Sequence, residues 1–168
     1  MLYYNIMSIE SKNCLAFRKH DHRRCQKQLL AEARKHCANQ QLRLTPRRQQ
    51  VLEILLRSHQ PLGAYDILSE LIRENPGEKI APPMVYRALE FLQTENLIHR
   101  LESKNAYIGC QFPGHSMSAR FLICQDCQKV AELESSNSDL HKEAARVGFE
   151  IEHPVVEISG TCSSCRNA

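Results

Sequence analysis

Two pairs of cysteines stand at the same spacing in the last third of the chain. Cys124 and Cys127 follow the apolar run that ends in "RFLIC", while Cys162 and Cys165 lie in "GTCSSC". A Cys-x-x-Cys turn places two thiolates on adjacent corners of a tetrahedron, each about 2.3 Å from a zinc ion. Because four thiolates leave no open position for water, we predict a structural zinc site that holds this part of the chain together.

A redox dithiol, as in a thiol oxidoreductase, is the alternative use of such a pair. A thioredoxin-like motif begins a helix within a βαβ unit, whereas both pairs here follow predicted strands. The stretch "MLYYNIMSIESKNC" lacks the features of a secretory signal, and no run approaches the roughly 20 apolar residues of a membrane span. We therefore expect a cytoplasmic protein, in which metal binding explains paired cysteines better than disulfides do.

The charged residues are unevenly distributed along the chain. Residues 1–100 carry 16 Lys and Arg against 10 Asp and Glu, whereas residues 101–168 carry 6 against 9. A basic first part and an acidic second part suggest two modules, of which the first faces a polyanion. Chance clustering on solvated surfaces would produce the same imbalance, so charge alone does not decide between the two explanations.

The order of predicted elements indicates an α+β chain. Four helical patterns come first, and the second begins with a capping Thr45 followed by Pro46. The third pattern places Tyr65, Leu68 and Ile72 on one face. Two short strands, "IHRLES" and "AYIGC", then flank a turn. Four helices followed by a hairpin is the order of a winged helix-turn-helix.

A smaller module of mixed α and β structure follows. We predict a strand at "RFLIC", the first cysteine pair, a strand at "KVAELE", a helix over residues 138–147, a strand at "FEIEHPVVEIS" and the second cysteine pair. A module of this length buries too little core to be stable alone. The predicted zinc ion would therefore supply much of its folding free energy.

Several motifs resemble the ferric uptake regulator family of bacterial metal-responsive repressors, and within it most closely the zinc uptake regulators. The motifs are "LRLTPRRQQVLEIL", "GAYDILSEL", "PPMVYRALEFLQTENLIHRLES", "NAYIGC", "FLICQDCQKVAELE" and "GTCSSC". The resemblance implies a homodimer that binds palindromic, A/T-rich operator DNA when loaded with zinc and represses zinc-uptake genes. It also implies a flexible tail at 1–20, a winged-helix DNA-binding domain at 21–109, a hinge at 110–118, and a dimerisation and metal-binding domain at 119–168.

Five residues are candidates for contacting DNA. Tyr86 and Arg87 lie on the polar face of the fourth helix, where an arginine can donate two hydrogen bonds to a guanine edge. The resemblance implies that this helix enters the major groove and that Tyr65 contacts the DNA backbone. Arg47 and Arg48 lie beside the start of the second helix, where phosphate contact is plausible. A solvated helix face is the alternative for each of them.

A second, regulatory zinc site is implied by the resemblance. Similar positions in zinc uptake regulators form a set of two histidines, one cysteine and one glutamate, which here correspond to His99, Cys110, His115 and Glu132. Zinc accepts such a mixed set in tetrahedral geometry, and the thiolate favours zinc over iron(II) or manganese(II). We therefore expect one structural and one regulatory zinc ion in each subunit.

Some alternatives stay open at this point. An iron or peroxide sensor of the same family is disfavoured because Cys110 is among the candidate ligands. We expect no catalysis, since the sequence has no Ser/His/Asp order, phosphate loop or paired carboxylates. His153 resembles a position that belongs to a further metal site in iron regulators, but it lacks the usual partners. Four N-terminal residues could scavenge metal, although we predict no site there: Cys14, His20, His22 and Cys25.

Overall fold

The computed structural model describes residues 16–114, 119–133, 138–152 and 155–167. Four helices come first, followed by a hairpin whose strands are joined by a short 3-10 turn at Glu102–Lys104. The elements of this first module are α1 (His22–Asn39), α2 (Pro46–Leu55), α3 (Ala64–Glu74), α4 (Pro82–Thr94), β1 (Ile98–Leu101) and β2 (Ala106–Gly109). The winged helix-turn-helix that the sequence predicts is thereby confirmed.

The starts of the helices follow from local side-chain chemistry. The Asp21 carboxylate accepts hydrogen bonds from the backbone N–H groups of Arg23 and Arg24, which caps α1. The Thr45 hydroxyl caps α2 in the same way, with Pro46 in its first turn. Helix α4 begins at Pro82 and needs no capping acceptor there, because proline lacks a backbone N–H. The sequence therefore determines where α4 begins.

The core of the first module lies between the four helices. Helix α4 buries Val85, Leu89 and Leu92, as its apolar spacing predicts. Helix α3 buries Ile67 and Leu71. Of the three residues that the sequence places on one face of α3, Leu68 is half-buried, whereas Tyr65 and Ile72 are largely exposed.

The hairpin forms the wing of the module. Strands β1 and β2 are antiparallel, and Leu62 adds a third short segment by exchanging two backbone hydrogen bonds with Tyr107. Asn105 adopts a left-handed conformation with φ 45° at the turn, which asparagine tolerates better than most residues. This turn fixes the register that places His99 opposite Ile108.

The second module is a three-stranded mixed sheet with two short helices. Strand β3 (Ala119–Cys124) lies in the centre, antiparallel to β4 (Val130–Leu133) and parallel to β5 (Val155–Gly160). Helix α5 (Ser138–Arg146) precedes β5, and helix α6 (Ser163–Arg166), which the sequence analysis did not predict, follows it. Strand β5 is shorter than predicted, because residues 149–152 do not belong to the sheet.

Backbone and side-chain contacts join the two modules. The Glu157 carboxylate of β5 accepts hydrogen bonds from the N–H groups of Glu102 (2.7 Å) and Ser103 (3.3 Å) at the wing turn. On the other side, the His59 carbonyl accepts from Val130 N at 2.8 Å. Among the described residues, no helix is both long enough and apolar enough to cross a membrane.

Candidate metal centres and nucleic-acid interface

The four cysteines of the two Cys-x-x-Cys pairs meet at one end of the second sheet. Their Sγ atoms all lie within 4.8 Å of one another, and those of Cys127 and Cys162 are 3.9 Å apart. A tetrahedral zinc ion with Zn–S distances of about 2.3 Å would separate its sulfur ligands by about 3.8 Å. Cys124, Cys127, Cys162 and Cys165 thus have the arrangement that a structural zinc ion requires.

The turn after β3 shapes this set. Cys124 N donates to Lys129 O and Gln128 N donates to Cys124 O, each at 3.0 Å, which folds the Cys-x-x-Cys segment back on itself. The N–H groups of Cys127 and Cys162 point at the Cys124 sulfur and lower the pKa of that thiol to about 6.

The pKa values of two other thiols in the set shift in the opposite direction. A hydrogen bond with Cys162 and burial raise the pKa of the Cys165 thiol to about 12, and burial raises that of Cys127. Several adjacent thiolates repel one another, so without a cation only part of the set is ionised at neutral pH. A divalent cation would supply the charge that lets all four sulfurs act as thiolates.

A second set of ligand types lies where the wing meets the second sheet. The ligand atoms of His99 on β1, Cys110 after β2 and Glu132 on β4 lie within 4.8 Å of one another. His99 Nε2 is 3.0 Å and Cys110 Sγ is 3.8 Å from Glu132 Oε1. The corresponding ligand separations in a tetrahedral zinc site are about 3.4 Å and 3.6 Å. Predicted ligand His115 lies outside the described residues.

Neighbouring groups aim these ligands at a common point. Gln111 N donates to Glu132 Oε2 at 2.7 Å, which leaves Oε1 facing the histidine and the cysteine. The edge of the His99 ring packs against Phe121, with 5.2 Å between ring centroids. His99 Nε2 is buried and makes no hydrogen bond with any residue in the described ranges. A buried nitrogen without a hydrogen bond is the donor atom that a metal ion would use.

The electrostatics of this second set also favour a cation. Glu132 is only 8% exposed and Cys110 only 1% exposed. Burial and the nearby Glu132 carboxylate raise the pKa of the Cys110 thiol well above its usual value. Burying a carboxylate next to a thiol is costly unless a positive charge compensates both. A cleft of about 1110 Å³ opens beside His99 and gives access from solvent.

The polar face of α4 is exposed, as expected of a recognition helix. Tyr86 is 47% exposed, and Arg87, Glu90 and Gln93 are exposed as well. Tyr65, at the first turn of α3, is 68% exposed. Tyr86, Arg87 and Tyr65 therefore lie where a duplex can reach them.

The other two candidates for DNA contact are held by internal interactions. Arg47 pairs with Glu78 and donates to Gln50 Oε1 at 2.8 Å. The Arg48 guanidinium stacks on the Phe91 ring at 3.5 Å and donates to a backbone carbonyl. Contact with phosphate would require these arginines to exchange partners.

A further group of ligand types was not predicted as a site. The ligand atoms of His20, His22, Cys25 and His59 lie within 4.8 Å of one another. Three of these residues are close together in sequence, and their residue types can bind a metal. His59 joins them only through the packing of α1 against the end of α2, which spacing along the chain does not reveal.

The sequence is similar to those of known proteins over most of its length. The profile described as "Ferric uptake regulator family" matches residues 39–159. The chain is 41% identical over 143 residues to the zinc uptake regulation protein of Escherichia coli strain K12, which covers 82% of this chain and 81% of that protein.

Solved structures agree with this sequence similarity. A zinc uptake regulator complexed with zinc and DNA superposes with a TM-score of 0.75 at 36% identity, covering 84% of this chain and 95% of that one. The holo form of XcZur gives 0.75 at 37% identity, and its apo form gives 0.51 at 33%, each covering 85% of this chain and 99% of that one. The fold described above thus superposes better on holo XcZur than on apo XcZur.

Proposed function

The chain belongs to the ferric uptake regulator family, and from this premise we propose that it is a zinc-responsive transcriptional repressor of zinc-uptake genes. It binds palindromic, A/T-rich operator DNA as a zinc-loaded homodimer. Its relatives named above regulate zinc uptake, and one of them was solved with zinc and DNA together. Its role is binding, and we assign it no reaction.

The observation that carries this proposal is the convergence of His99, Cys110 and Glu132. His99 belongs to the winged-helix module and Cys110 directly follows its last strand, whereas Glu132 belongs to β4 of the second module. One cation bound by all three would therefore connect the two modules at the base of the wing. We propose that His115 supplies the fourth ligand, as the family resemblance implies.

The regulatory effect follows from this connection. A zinc ion supplies two positive charges at this site, which compensate the Glu132 carboxylate and a Cys110 thiolate. Without that compensation the two buried groups favour separation of the modules, so fewer molecules hold the wing against β4. Metal binding thus shifts a population toward the arrangement that resembles holo XcZur, and by reciprocity operator DNA tightens zinc binding.

The thiolate ligand bears on which metal is sensed. A set of nitrogen, sulfur and one carboxylate suits zinc, while iron(II) and manganese(II) prefer harder oxygen-rich ligands. Cys110 therefore supports a zinc sensor over an iron or peroxide sensor. The four-cysteine set holds a separate structural ion, so we propose one structural and one regulatory zinc ion in each subunit.

Helix α4 reads the operator in this proposal. Arg87 donates to base edges in the major groove, Tyr86 contacts a thymine methyl or a phosphate, and Tyr65 contacts the backbone. In a homodimer the two copies of α4 must be separated by about 34–36 Å to enter successive major grooves. Arg48 packs on Phe91 of α4, and Arg47 pairs with Glu78 in the loop before α4. We propose that both arginines approach phosphate from there.

An apolar surface on the second module supports the homodimer. The exposed apolar side chains of α5, β5 and the segment between them are Leu140, Val147, Phe149, Val155 and Ile158. Val155 and Ile158 are three residues apart on β5, so their side chains lie on opposite faces of the sheet. Exposed apolar side chains on one face mark interaction surfaces. We propose that a second copy of the chain covers the face that carries Ile158.

Operator binding measured against free zinc tests the proposed function. The operator is selected from a random duplex library in the presence of zinc, and binding is then titrated by fluorescence anisotropy at buffered zinc levels. Protein that carries only its structural ion should bind weakly, and affinity should rise as the second ion loads. Equal affinity at all zinc levels would refute the regulatory role and leave only a DNA-binding protein.

A further inference from the structure

The N-terminal part of the chain brings together a set of ligands that neither zinc site above uses. His20 and His22 stand at the start of α1, Cys25 lies in its first turn, and His59 lies between α2 and α3. His59 is only 6% exposed, and all three histidine rings contact one another, with centroids 4.8–5.4 Å apart. Three imidazoles and a thiol therefore share one small, partly buried volume.

Hydrogen bonds determine which ring nitrogens carry protons. His20 Nδ1 lies 3.0 Å from the Arg18 carbonyl oxygen, and His22 Nε2 lies 3.0 Å from the Leu56 carbonyl oxygen. A carbonyl only accepts, so both of these nitrogens must donate. In the neutral rings, His20 Nε2 and His22 Nδ1 then each carry a lone pair instead of a proton. These two nitrogen atoms face each other at 3.3 Å.

The third histidine points at the same place. His59 Nε2 lies 3.3 Å from His20 Nε2. A proton on His59 could satisfy one lone pair, but the lone pair of His22 Nδ1 would remain opposed to that of His20. A cation placed between the rings removes the repulsion between the lone pairs. The carbonyls of Arg18 and Leu56 would then hold the two rings in place, as hydrogen-bond partners of metal-binding histidines usually do.

The distances fit a tetrahedral ion. Zn–N bonds of about 2.0–2.1 Å separate two nitrogen ligands by about 3.3–3.4 Å. The two measured N···N distances are both 3.3 Å. We propose that His20, His22, Cys25 and His59 bind a third zinc ion. Three imidazoles and one thiolate form a closed coordination shell, so the ion has a structural role.

The position of this site indicates what the ion would hold. The carbonyl of His59 accepts from Val130 N, and the neighbouring Gln60 side chain donates to Cys127 O at 2.9 Å. Ala16 is buried, and Phe17 lines a small pocket with Leu122 and Ile158 of the second module. The third ion thus ties the segment before α1 to the loop that docks on the Cys-x-x-Cys turn. The ion would thereby stabilise these contacts between the two modules.

A metal count on the full-length protein tests the proposal. Wild-type protein is titrated with zinc by calorimetry, and the bound zinc is then measured by elemental analysis after desalting. We expect three ions per subunit. The double variant His20→Ala/His22→Ala should bind two, and it should retain zinc-dependent operator binding. The control variant His141→Ala removes an exposed histidine of α5 and should keep three. Equal counts in wild type and the double variant would overturn the proposal.

Cobalt substitution gives a readout that a merely structural effect would not change. Protein whose structural site is filled with zinc is loaded with Co²⁺, which reports thiolate ligands through charge-transfer absorption. The conservative variant Cys25→Ser should lose the Cys25 contribution while the contribution of Cys110 persists. Cys110→Ser should show the reverse. An unchanged spectrum in Cys25→Ser would show that no cobalt ion binds this thiol. Because the two variants affect different sites, failure here does not affect the regulatory proposal.

Discussion

His99 Nε2 lies 3.0 Å from Glu132 Oε1, although the two residues belong to different modules and are joined by no shared element. Their contact requires the two modules to be docked, because β1 belongs to the wing and β4 to the second sheet. The distance between these two atoms therefore reports whether the two modules are docked on each other.

Replacing Glu132 should abolish regulation without unfolding the protein. Glu132→Ala removes one direct ligand and the carboxylate that needs a cation, so zinc affinity at this site should fall by at least about 10–100-fold. Zinc-dependent operator binding should be lost over the same range, as measured by anisotropy in zinc buffers. Glu143→Ala, on the exposed face of α5, is the matched control. Wild-type zinc response in Glu132→Ala would exclude this residue as a ligand.

Loading the regulatory site should release a proton from Cys110. Burial and Glu132 raise the pKa of this thiol, so it is protonated throughout the neutral range and must ionise to bind zinc. Zinc affinity should therefore fall about tenfold for each unit by which the pH is lowered in that range. Calorimetry in buffers of different ionisation enthalpy counts the proton. Cys37→Ala should leave this count unchanged, whereas Cys110→Ser should remove the Cys110 contribution.

Arg87→Ala should weaken operator binding by about 1–3 kcal/mol if the guanidinium reads a base. The loss of affinity should be smaller on a duplex in which the contacted base has been replaced, because the wild-type protein also lacks the contact on that duplex. Arg146→Ala, which removes an exposed arginine at the end of α5, should bind like wild type. Gel-shift titration of the three proteins on both duplexes decides whether Arg87 contributes to sequence specificity.

Removing the structural ion should unfold the second module. Structural zinc contributes about 10–16 kcal/mol apparent free energy in small zinc-binding peptides, and this module has few other sources of stability. Cys162→Ser, or prolonged chelation, should abolish dimerisation and reduce the β signal in circular dichroism. Sedimentation velocity checks the oligomeric state. A folded dimer that survives complete loss of zinc from the four cysteines would contradict the structural role of this site.

Placing a charge on the face of β5 that carries Ile158 should dissociate the dimer. Ile158 is 46% exposed, and Ile158→Glu would bury a carboxylate against a second copy of the chain. The control is Ile72→Glu on α3, because Ile72 is similarly exposed at 48% but lies in the first module. Light scattering should give a monomer for the first variant and a dimer for the second. A dimer in both would place the interface elsewhere.

The sequence predicts local structure well where local chemistry decides it. The caps at Asp21 and Thr45 and the proline at the start of α4 each satisfy or avoid backbone donors within a few residues, so the helix starts follow directly. The buried face of α3 does not follow from the sequence, because both Ile67 with Leu71 and Tyr65 with Ile72 could form it. Packing against α2 and α4 decides between the two faces.

The candidate sites divide in the same way. The four-cysteine set could be predicted because each Cys-x-x-Cys turn carries two ligands at a fixed spacing in the sequence. Only the meeting of the two turns depends on the fold. The partners of His59 were not visible, since their meeting depends on how α1 packs along α2. The internal contacts of Arg47 with Glu78 and of Arg48 with Phe91 were hidden for the same reason.

The hydrogen bond from Gln60 Nε2 to Cys127 O has a consequence for protein engineering. The acceptor is a main-chain atom of the Cys-x-x-Cys turn, so this contact of the first module depends on the backbone shape of that turn. A hybrid that grafts residues 16–110 onto a foreign dimerisation half should keep its orientation only if the recipient presents a carbonyl at the same place. For designed biosensors, the foreign dimerisation half is therefore best chosen by matching that turn, even when its surface sequence diverges.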